Sequence, residues 1–351
     1  MNFTPLRFSE DELLILDQTA LPLKERWEKI ETLQDLAQAI KSLKIRGAPL
    51  LGVAAAVSLA YFAGQEQKKQ ENWVEKFPIW IQEMLSFRPT AVNPRNHLAQ
   101  MNSVFLQARK EGKSPQEIVR LLWGEALKIA KEEREICERI GEYGASLIGS
   151  DSQILTHCNT GALATYGIGT ALGIIRKCAE QGKNPFVWVT ETRPLLQGSR
   201  LTAYELEKLH IPYSIIVDSA VGDLFSRGEV QYVLVGADRI ARNGDTANKI
   251  GTKTLALLAH QFHIPFFVSA PLSSFDWDIP SKENIPIEFR KSEEILSVGN
   301  HPVAPEHFRV HTPAFDITES SLITAFITEE GIYRPSQLDL LYQKIFSHKL
   351  Q

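Results

Sequence analysis

The chain has 351 residues, of which 44% are hydrophobic and 23% charged, with a formal net charge of −4. That length accommodates two domains and a well-buried core, and mild acidity without a basic run argues against nucleic acid or an anionic membrane as general partners. The only cysteines are Cys137, Cys158 and Cys178; without C-x-x-C spacing they argue against a disulfide scaffold and a zinc site, and for a reducing compartment.

The start, Met1 to Asp17, carries acids and lacks the basic and apolar regions of a signal peptide, so the cytoplasm is the expected location. Alternations such as Leu6-Arg7-Phe8 and Leu14-Ile15-Leu16 predict a small antiparallel β element within residues 3–30. Thr32 reads as an N-cap of a helix whose face is Leu33, Leu36, Ala37 and Ile40, ending near Leu43. Gly47 to Gly64 contains no charged residue. Its length is near the lower limit for a bilayer span and it is rich in Ala and Gly, so a buried helix is expected instead. Arg46 beside Gly47, with Pro49 in the first turn, suits an anion; a helix cap with a surface arginine is the other reading. Helices are predicted at 70–86, 95–112 and 115–146, with a second arginine, Arg88, in the loop Arg88-Pro89-Thr90-Ala91-Val92-Asn93.

From Ser152 the period changes. Apolar runs of strand length recur at Ile154–His157, Phe186–Thr190, Tyr213–Val217, Tyr232–Val235 and Pro265–Ser269. Helical stretches near 162–181, 198–209, 219–226 and 248–262 separate them, and a strand at Ala325–Thr328 and a helix at Pro335–His348 follow. This alternation predicts a mainly parallel, doubly wound sheet. The expected class is α/β: a mainly helical domain with a small β element over residues 1–147, then a Rossmann-like domain over residues 148–351.

Open α/β sheets bind ligands beyond the carboxyl ends of their strands. The first predicted strand of the sheet stops at Cys158, and a helix directly after it would favour the thiolate; a small buried hydrophobe is the ordinary alternative. Cys137 and Cys178 fall inside helices and read as structural, and His157 alternates with Cys158 and is left unassigned. Another strand ends at Asp238, either a helix cap, an ion-pair partner of Arg239, or an acid that shares a pocket with Cys158. Asn248 and Lys249, in the polar loop 243–252, are placed to hold hydroxyls and a phosphate, and Gln197 in Glu191–Gly198 a sugar hydroxyl. Four such loops indicate a small, polyhydroxylated, anionic ligand. Gly167-Ile168-Gly169 lies about ten residues past its strand, too far for a dinucleotide turn, so close helix packing accounts for it.

The set Ile45–Pro49, Arg88–Asn93, His157–Thr165, Glu191–Pro194, Gly236–Ile240, Asn243–Thr252 and Pro313–Thr318 strongly resembles the S-methyl-5-thioribose-1-phosphate isomerase family over nearly the whole chain. Its wider group includes ribose-1,5-bisphosphate and 5-deoxyribose-1-phosphate isomerases and regulatory subunits of the exchange factor for translation initiation. The resemblance implies a methionine-salvage isomerase, a homodimer, and no metal or organic cofactor. It assigns catalysis to Cys158 and Asp238, and substrate contacts to Arg46, Gly47, Ala48, Arg88, Gln197, Asn248 and Lys249. The expected chemistry has Asp238, kept protonated by an apolar pocket, protonating the ring oxygen while Cys158 acts at C2. The chain departs from the family pattern at Pro94-Arg95-Asn96-His97, Phe289 and His311-Thr312, which bears on the 5-substituent of the sugar.

Overall fold

The computed structural model describes residues 4–87, 92–299 and 301–347. Internal contacts divide the chain into two compact units, one of Met1–Cys137 with Ala162–Gly169, the other of Glu138–Gly161 with Thr170–Gln351.

In the first unit, β1 (Leu6–Phe8), β2 (Leu13–Leu16) and β3 (Trp27–Lys29) form the expected antiparallel sheet, with β2 central. Thr32 caps α1 (Leu33–Lys41): its hydroxyl accepts the Asp35 N–H at 3.1 Å, and the Asp35 carboxylate accepts the Thr32 N–H at 2.9 Å. Every residue of α2 (Ala48–Lys68) from Pro49 to Gly64 is buried. Apolar on all sides, it is the central helix of this unit rather than a surface one. Around it lie α3 (Trp73–Phe87) and α4 (Val92–Lys110), where the rings of Trp73, Phe77 and Phe105 cluster with centroids 4.4 to 6.2 Å apart, Phe77 stacked on Phe105 and Trp73 edge-on to Phe77. α5 (Pro115–Ala145) begins in this unit and buries Ile118, Leu122, Ala126 and Ile129 at helical spacing.

The second unit is built on a seven-stranded sheet in the order β16-β15-β10-β7-β4-β5-β6. The chain runs β4 (Gln153–Thr156), α6 (Ala171–Glu180), β5 (Phe186–Thr190), α7 (Ala203–Leu209), β6 (Tyr213–Ile216), α8 (Val221–Ser226) and β7 (Tyr232–Val235). A smaller sheet branches off, formed by β8 (Arg239–Ala241), β9 (Thr246–Lys249), β11 (Phe275–Asp276) and β14 (Phe315–Thr318) in the order β11-β8-β9-β14. Between its strands come α9 (Thr252–Gln261), β10 (Phe266–Ser269), α10 (Glu293–Leu296) and the hairpin of β12 (Ser297–Val298) and β13 (His301–Pro302). β15 (Ala325–Thr328), β16 (Gly331–Tyr333) and α11 (Leu338–Ser347) close the chain. In the main sheet only β16 is antiparallel, and the strands β4, β7, β10 and β15 are buried apolar runs, as a sheet covered on both faces requires.

Two expectations are corrected. A helix near 162 is not formed: residues 162–169 make turns and pack in the first unit, where Gln18 Nε2 donates to the Leu163 carbonyl at 2.8 Å and the Leu50 N–H to the Ala164 carbonyl at 3.2 Å. The Thr170 N–H returns to the Thr160 carbonyl at 2.8 Å, and α6 starts only at Ala171. Likewise Asn248 and Lys249 lie in β9, and the helix expected from 248 begins at Thr252. A side chain at Gly167 would come within 2.6 Å of Cys137 Cβ, so close packing does account for that glycine.

Candidate active site

β4 is the first strand of the parallel sheet. From it the chain winds through β5 and β6 to one side, then crosses to β7, β10 and β15 on the other. The reversal falls between β4 and β7, the switch point at which doubly wound sheets open a crevice. Thr156 pairs with Leu234 across it, and the Thr156 hydroxyl donates to the Leu234 carbonyl at 2.8 Å. Cys158 follows β4 and Asp238 follows β7, so the two predicted catalytic residues flank the switch point from adjacent strands.

Cys158 is 8% exposed and adopts a left-handed backbone, with φ 64°. For a residue with a Cβ this conformation costs about 1–2 kcal/mol, so the surroundings must hold it. They do so from both sides: the Cys158 N–H donates to Thr192 Oγ1 at 2.9 Å, and Thr202 Oγ1 donates to the Cys158 carbonyl at 2.6 Å. Thr192 is itself left-handed, with φ 64°, and the Asp218 carboxylate accepts the N–H groups of Thr192 and Arg193 at 2.8 and 2.7 Å. Asn159 Nδ2 reaches Thr202 Oγ1 at 3.2 Å and Glu205 Oε1 at 2.9 Å. The expected thiolate-stabilising helix directly after Cys158 is absent, since α6 begins thirteen residues later. The helix-dipole argument for this thiol therefore falls, while its placement at the strand end stands. Cys137 and Cys178 are fully buried; burial pushes both thiols upward, Cys178 to about 11, as inert structural cysteines require.

Beyond β5, Gln197 is 6% exposed, and its Oε1 has no hydrogen-bond partner among the described residues. A buried acceptor in that state is costly unless a ligand or a water donates to it. Gly198 next to it must be glycine, because a Cβ would lie 1.7 Å from the Thr190 carbonyl oxygen. Arg193 is committed to structure: its guanidinium donates to the carbonyls of Pro194, Ser297 and Ile295.

Asp238 is half-buried and stands at the head of β8, its N–H donating to the Ala247 carbonyl at 3.0 Å. A strand rather than a helix follows it, and Arg239 pairs with Asp276 at 3.3 Å. Across the hairpin, β9 is buried throughout, so even Asn248 and Lys249 are inside. Asn248 Nδ2 donates to Thr252 Oγ1 at 3.1 Å. Lys249 Nζ donates to the Ala314 carbonyl at 3.2 Å and sits 4.8 Å from the Phe315 ring centre, with no carboxylate partner among the described residues. A buried ammonium so placed favours an anion. Asp316, opposite Asn248, accepts the Gly251 and Lys253 N–H groups at 2.8 and 3.1 Å; burial nevertheless pushes its carboxyl up to about 6.

In the first unit, Arg46 is 7% exposed, its Nε donating to Gln18 Oε1 at 3.1 Å, which removes the surface-arginine reading. Gly47 has φ 92°, and a Cβ there would lie 2.3 Å from the Ala164 carbonyl oxygen. Glycine is thus required for the entry into α2, whose first residues are Ala48 and Pro49. Arg88 lies outside the described residues. Of the departures from the family pattern, Pro94 to His97 lie on α4, and Phe289 stands 61% exposed with its ring centre 5.3 Å from that of His311.

Residues that sequence reasoning passed over are Thr192, Thr202 and Asp218, which hold Cys158 in place. Their one signal was position just beyond strands of the same sheet.

The initiation factor 2 subunit family matches residues 44–335. The methylthioribose-1-phosphate isomerase of Yersinia pestis (strain Pestoides F) is 45% identical over 339 residues, covering 95% of this chain and 94% of that protein. Its namesake from Natranaerobius thermophilus is 44% identical over 338 residues, covering 96% and 97%. The crystal structure of 5-methylthioribose 1-phosphate isomerase from Pyrococcus horikoshii OT3 is similar with a TM-score of 0.89 at 38% identity, over 97% of this chain and 96% of that one. A structure described as translation initiation factor eIF-2B, subunit delta, from A. fulgidus gives 0.85 at 39% identity, over 98% and 99%. The chain therefore belongs to the initiation factor 2 subunit family and, within it, to the family of the methylthioribose-1-phosphate isomerases.

Proposed function

We propose that the chain is an aldose–ketose isomerase converting S-methyl-5-thio-α-D-ribose 1-phosphate to S-methyl-5-thio-D-ribulose 1-phosphate in methionine salvage. It works in the cytoplasm as a homodimer, without metal or organic cofactor. The observation that supports this reading is a thiol and a carboxyl just beyond two adjacent strands at the switch point of a chain that matches named isomerases over nearly its full length.

Phosphate on C1 locks the sugar ring, so opening needs an acid. Asp238 gives its proton to the ring oxygen as the bond from C1 to that oxygen breaks, and Cys158 takes the hydrogen from C2 as a proton, leaving an enol. The C2 hydroxyl then loses its proton while C1 gains one, and the sum is the ketose. In a hydride-shift route the C2 hydrogen moves to C1 directly and Cys158 stabilises the transition state. Arg46, Gly47, Ala48, Arg88, Gln197, Asn248 and Lys249 contact the substrate; the partnerless Gln197 Oε1 and the buried Lys249 ammonium support this for a hydroxyl and an anion. The domain carrying the catalytic pair starts near residue 148, and the mainly helical domain ends near residue 147.

The test is turnover of methylthioribose 1-phosphate beside 5-deoxyribose 1-phosphate and ribose 1,5-bisphosphate. The first is expected to have the highest kcat/KM. Preference for another sugar would replace the substrate and turn attention to Pro94–His97. No turnover of any would favour a non-catalytic regulatory subunit of an exchange factor.

A further inference from the structure

His157 is a group that this chemistry leaves unused. It lies between β4 and Cys158, yet its ring is 1% exposed and reaches two other strand-end loops. Nε2 is 2.9 Å from the Ile250 carbonyl, one residue past Lys249, and Nδ1 is 2.7 Å from the Thr190 hydroxyl at the end of β5. A carbonyl only accepts, so Nε2 carries the proton; Nδ1 of the neutral ring is then a lone pair, and Thr190 donates to it. Thr190 Oγ1 is also 3.2 Å from Thr192 Oγ1, which accepts the Cys158 N–H at 2.9 Å and whose own proton faces both Thr190 Oγ1 and the Thr190 carbonyl, 3.1 Å away. One set of proton positions satisfies the whole chain of groups. Gly251 completes it, since a Cβ there would press on the imidazole at 3.1 Å.

We infer that neutral His157, protonated on Nε2, is a positioning residue that fixes the loops carrying Cys158, Gln197 and Asn248–Lys249 relative to one another through Thr190 and Thr192. The inference rests on the isomerase reading for its effect on turnover. Protonating the ring would place a hydrogen on Nδ1 facing Thr190. The Thr190 proton would then have to turn to the Thr156 carbonyl, 3.4 Å away, or to Thr192 Oγ1, whose own proton must then turn wholly to the Thr190 carbonyl. Either turn reverses or removes the hydroxyl link that ties the acceptor of the Cys158 N–H to the imidazole. Burial lowers the basicity of the ring below the ordinary 6.5; the Ile250 carbonyl and Asp218 carboxylate oppose that, and the Lys249 ammonium adds to it. The unfolded chain takes up this proton first, so stability is full above pH 6.5 and declines as pH falls below it.

Two measurements decide the matter. Nitrogen-15 NMR of histidine-labelled protein, with His157 assigned by the loss of its signal in His157→Gln, is expected to show the Nε2–H form persisting below pH 6.5. A ring protonated on Nδ1 at neutral pH overturns the inference, and this readout needs no substrate, so it stands or falls apart from the isomerase reading. If His157→Gln does not fold, Thr190→Val assigns the ring through its shifted Nδ1 signal. In kinetics, Thr190→Val is expected to lower kcat about a hundredfold with KM little changed, and Thr190→Ser to restore most of it. The acid limb of the kcat profile is expected to lie at a different pH in His157→Gln from that of the wild type. Equal kcat in the two Thr190 variants, or an acid limb unaltered in His157→Gln, contradicts the inference.

Discussion

Around α2, nearly all the buried side chains are aliphatic, aromatic or small, with Arg46 and Gln18 at its entry the polar exceptions. At the carboxyl ends of β4, β5 and β9 the buried groups are His157, Asn159, Thr190, Thr192, Gln197, Asn248 and Lys249. The first region draws its stability from apolar area removed from water, which is non-directional and tolerant of small shifts. The second is held by directed hydrogen bonds around two left-handed residues, Cys158 and Thr192, and tolerates few alternatives. Damage to the helical core should therefore cost stability while folded molecules stay active. Damage at the strand ends should cost turnover in molecules that still fold.

Predictions that would break this contrast can be ranked by size. Phe77→Ala removes a fully buried ring stacked 4.4 Å from Phe105, and should lower unfolding free energy by about 3–5 kcal/mol in denaturant titrations, with kcat per folded molecule unchanged. Gly47→Ala combines a positive φ with a clash against Ala164; a loss of about 2–4 kcal/mol is expected, read by thermal melting. Glu329→Gln should act in the opposite direction. Burial pushes the Glu329 carboxyl up to about 7, so the folded state binds a proton that the unfolded state has lost; its stability is full at low pH and declines as pH rises through 7. The amide avoids burying that charge and should stabilise the protein by about 1–3 kcal/mol at pH 8, with little difference from wild type at pH 4. Lys131→Ala breaks an exposed pair with Glu135 and should change stability by no more than about 0.5 kcal/mol.

The same contrast explains what the sequence disclosed. Helical spacing and the Thr32 cap were readable because each is a local property of a few neighbouring residues. So were the strands of the parallel sheet, whose apolar runs stand out against polar turns. The smaller sheet was not readable: β9 is Thr-Ala-Asn-Lys, without alternation, and is held as a strand by pairing with β8 on one side and, some seventy residues later, with β14 on the other. Residues 162–169 carry a helix-like composition, yet their carbonyls are claimed by Gln18 and Leu50. Cys158 and Asp238 could be singled out from their position after strands, but the left-handed backbone at Cys158 and the threonines that hold it depend on contacts distant in sequence.

The central claim, that Cys158 and Asp238 act as one catalytic unit at the switch point, is tested most directly by kcat on methylthioribose 1-phosphate for Cys158→Ala, Asp238→Asn and the double variant. Each single change is expected to lower kcat by about a hundred- to ten-thousandfold, with the double variant little worse than the poorer single one. A single variant within a few-fold of wild type would contradict the claim.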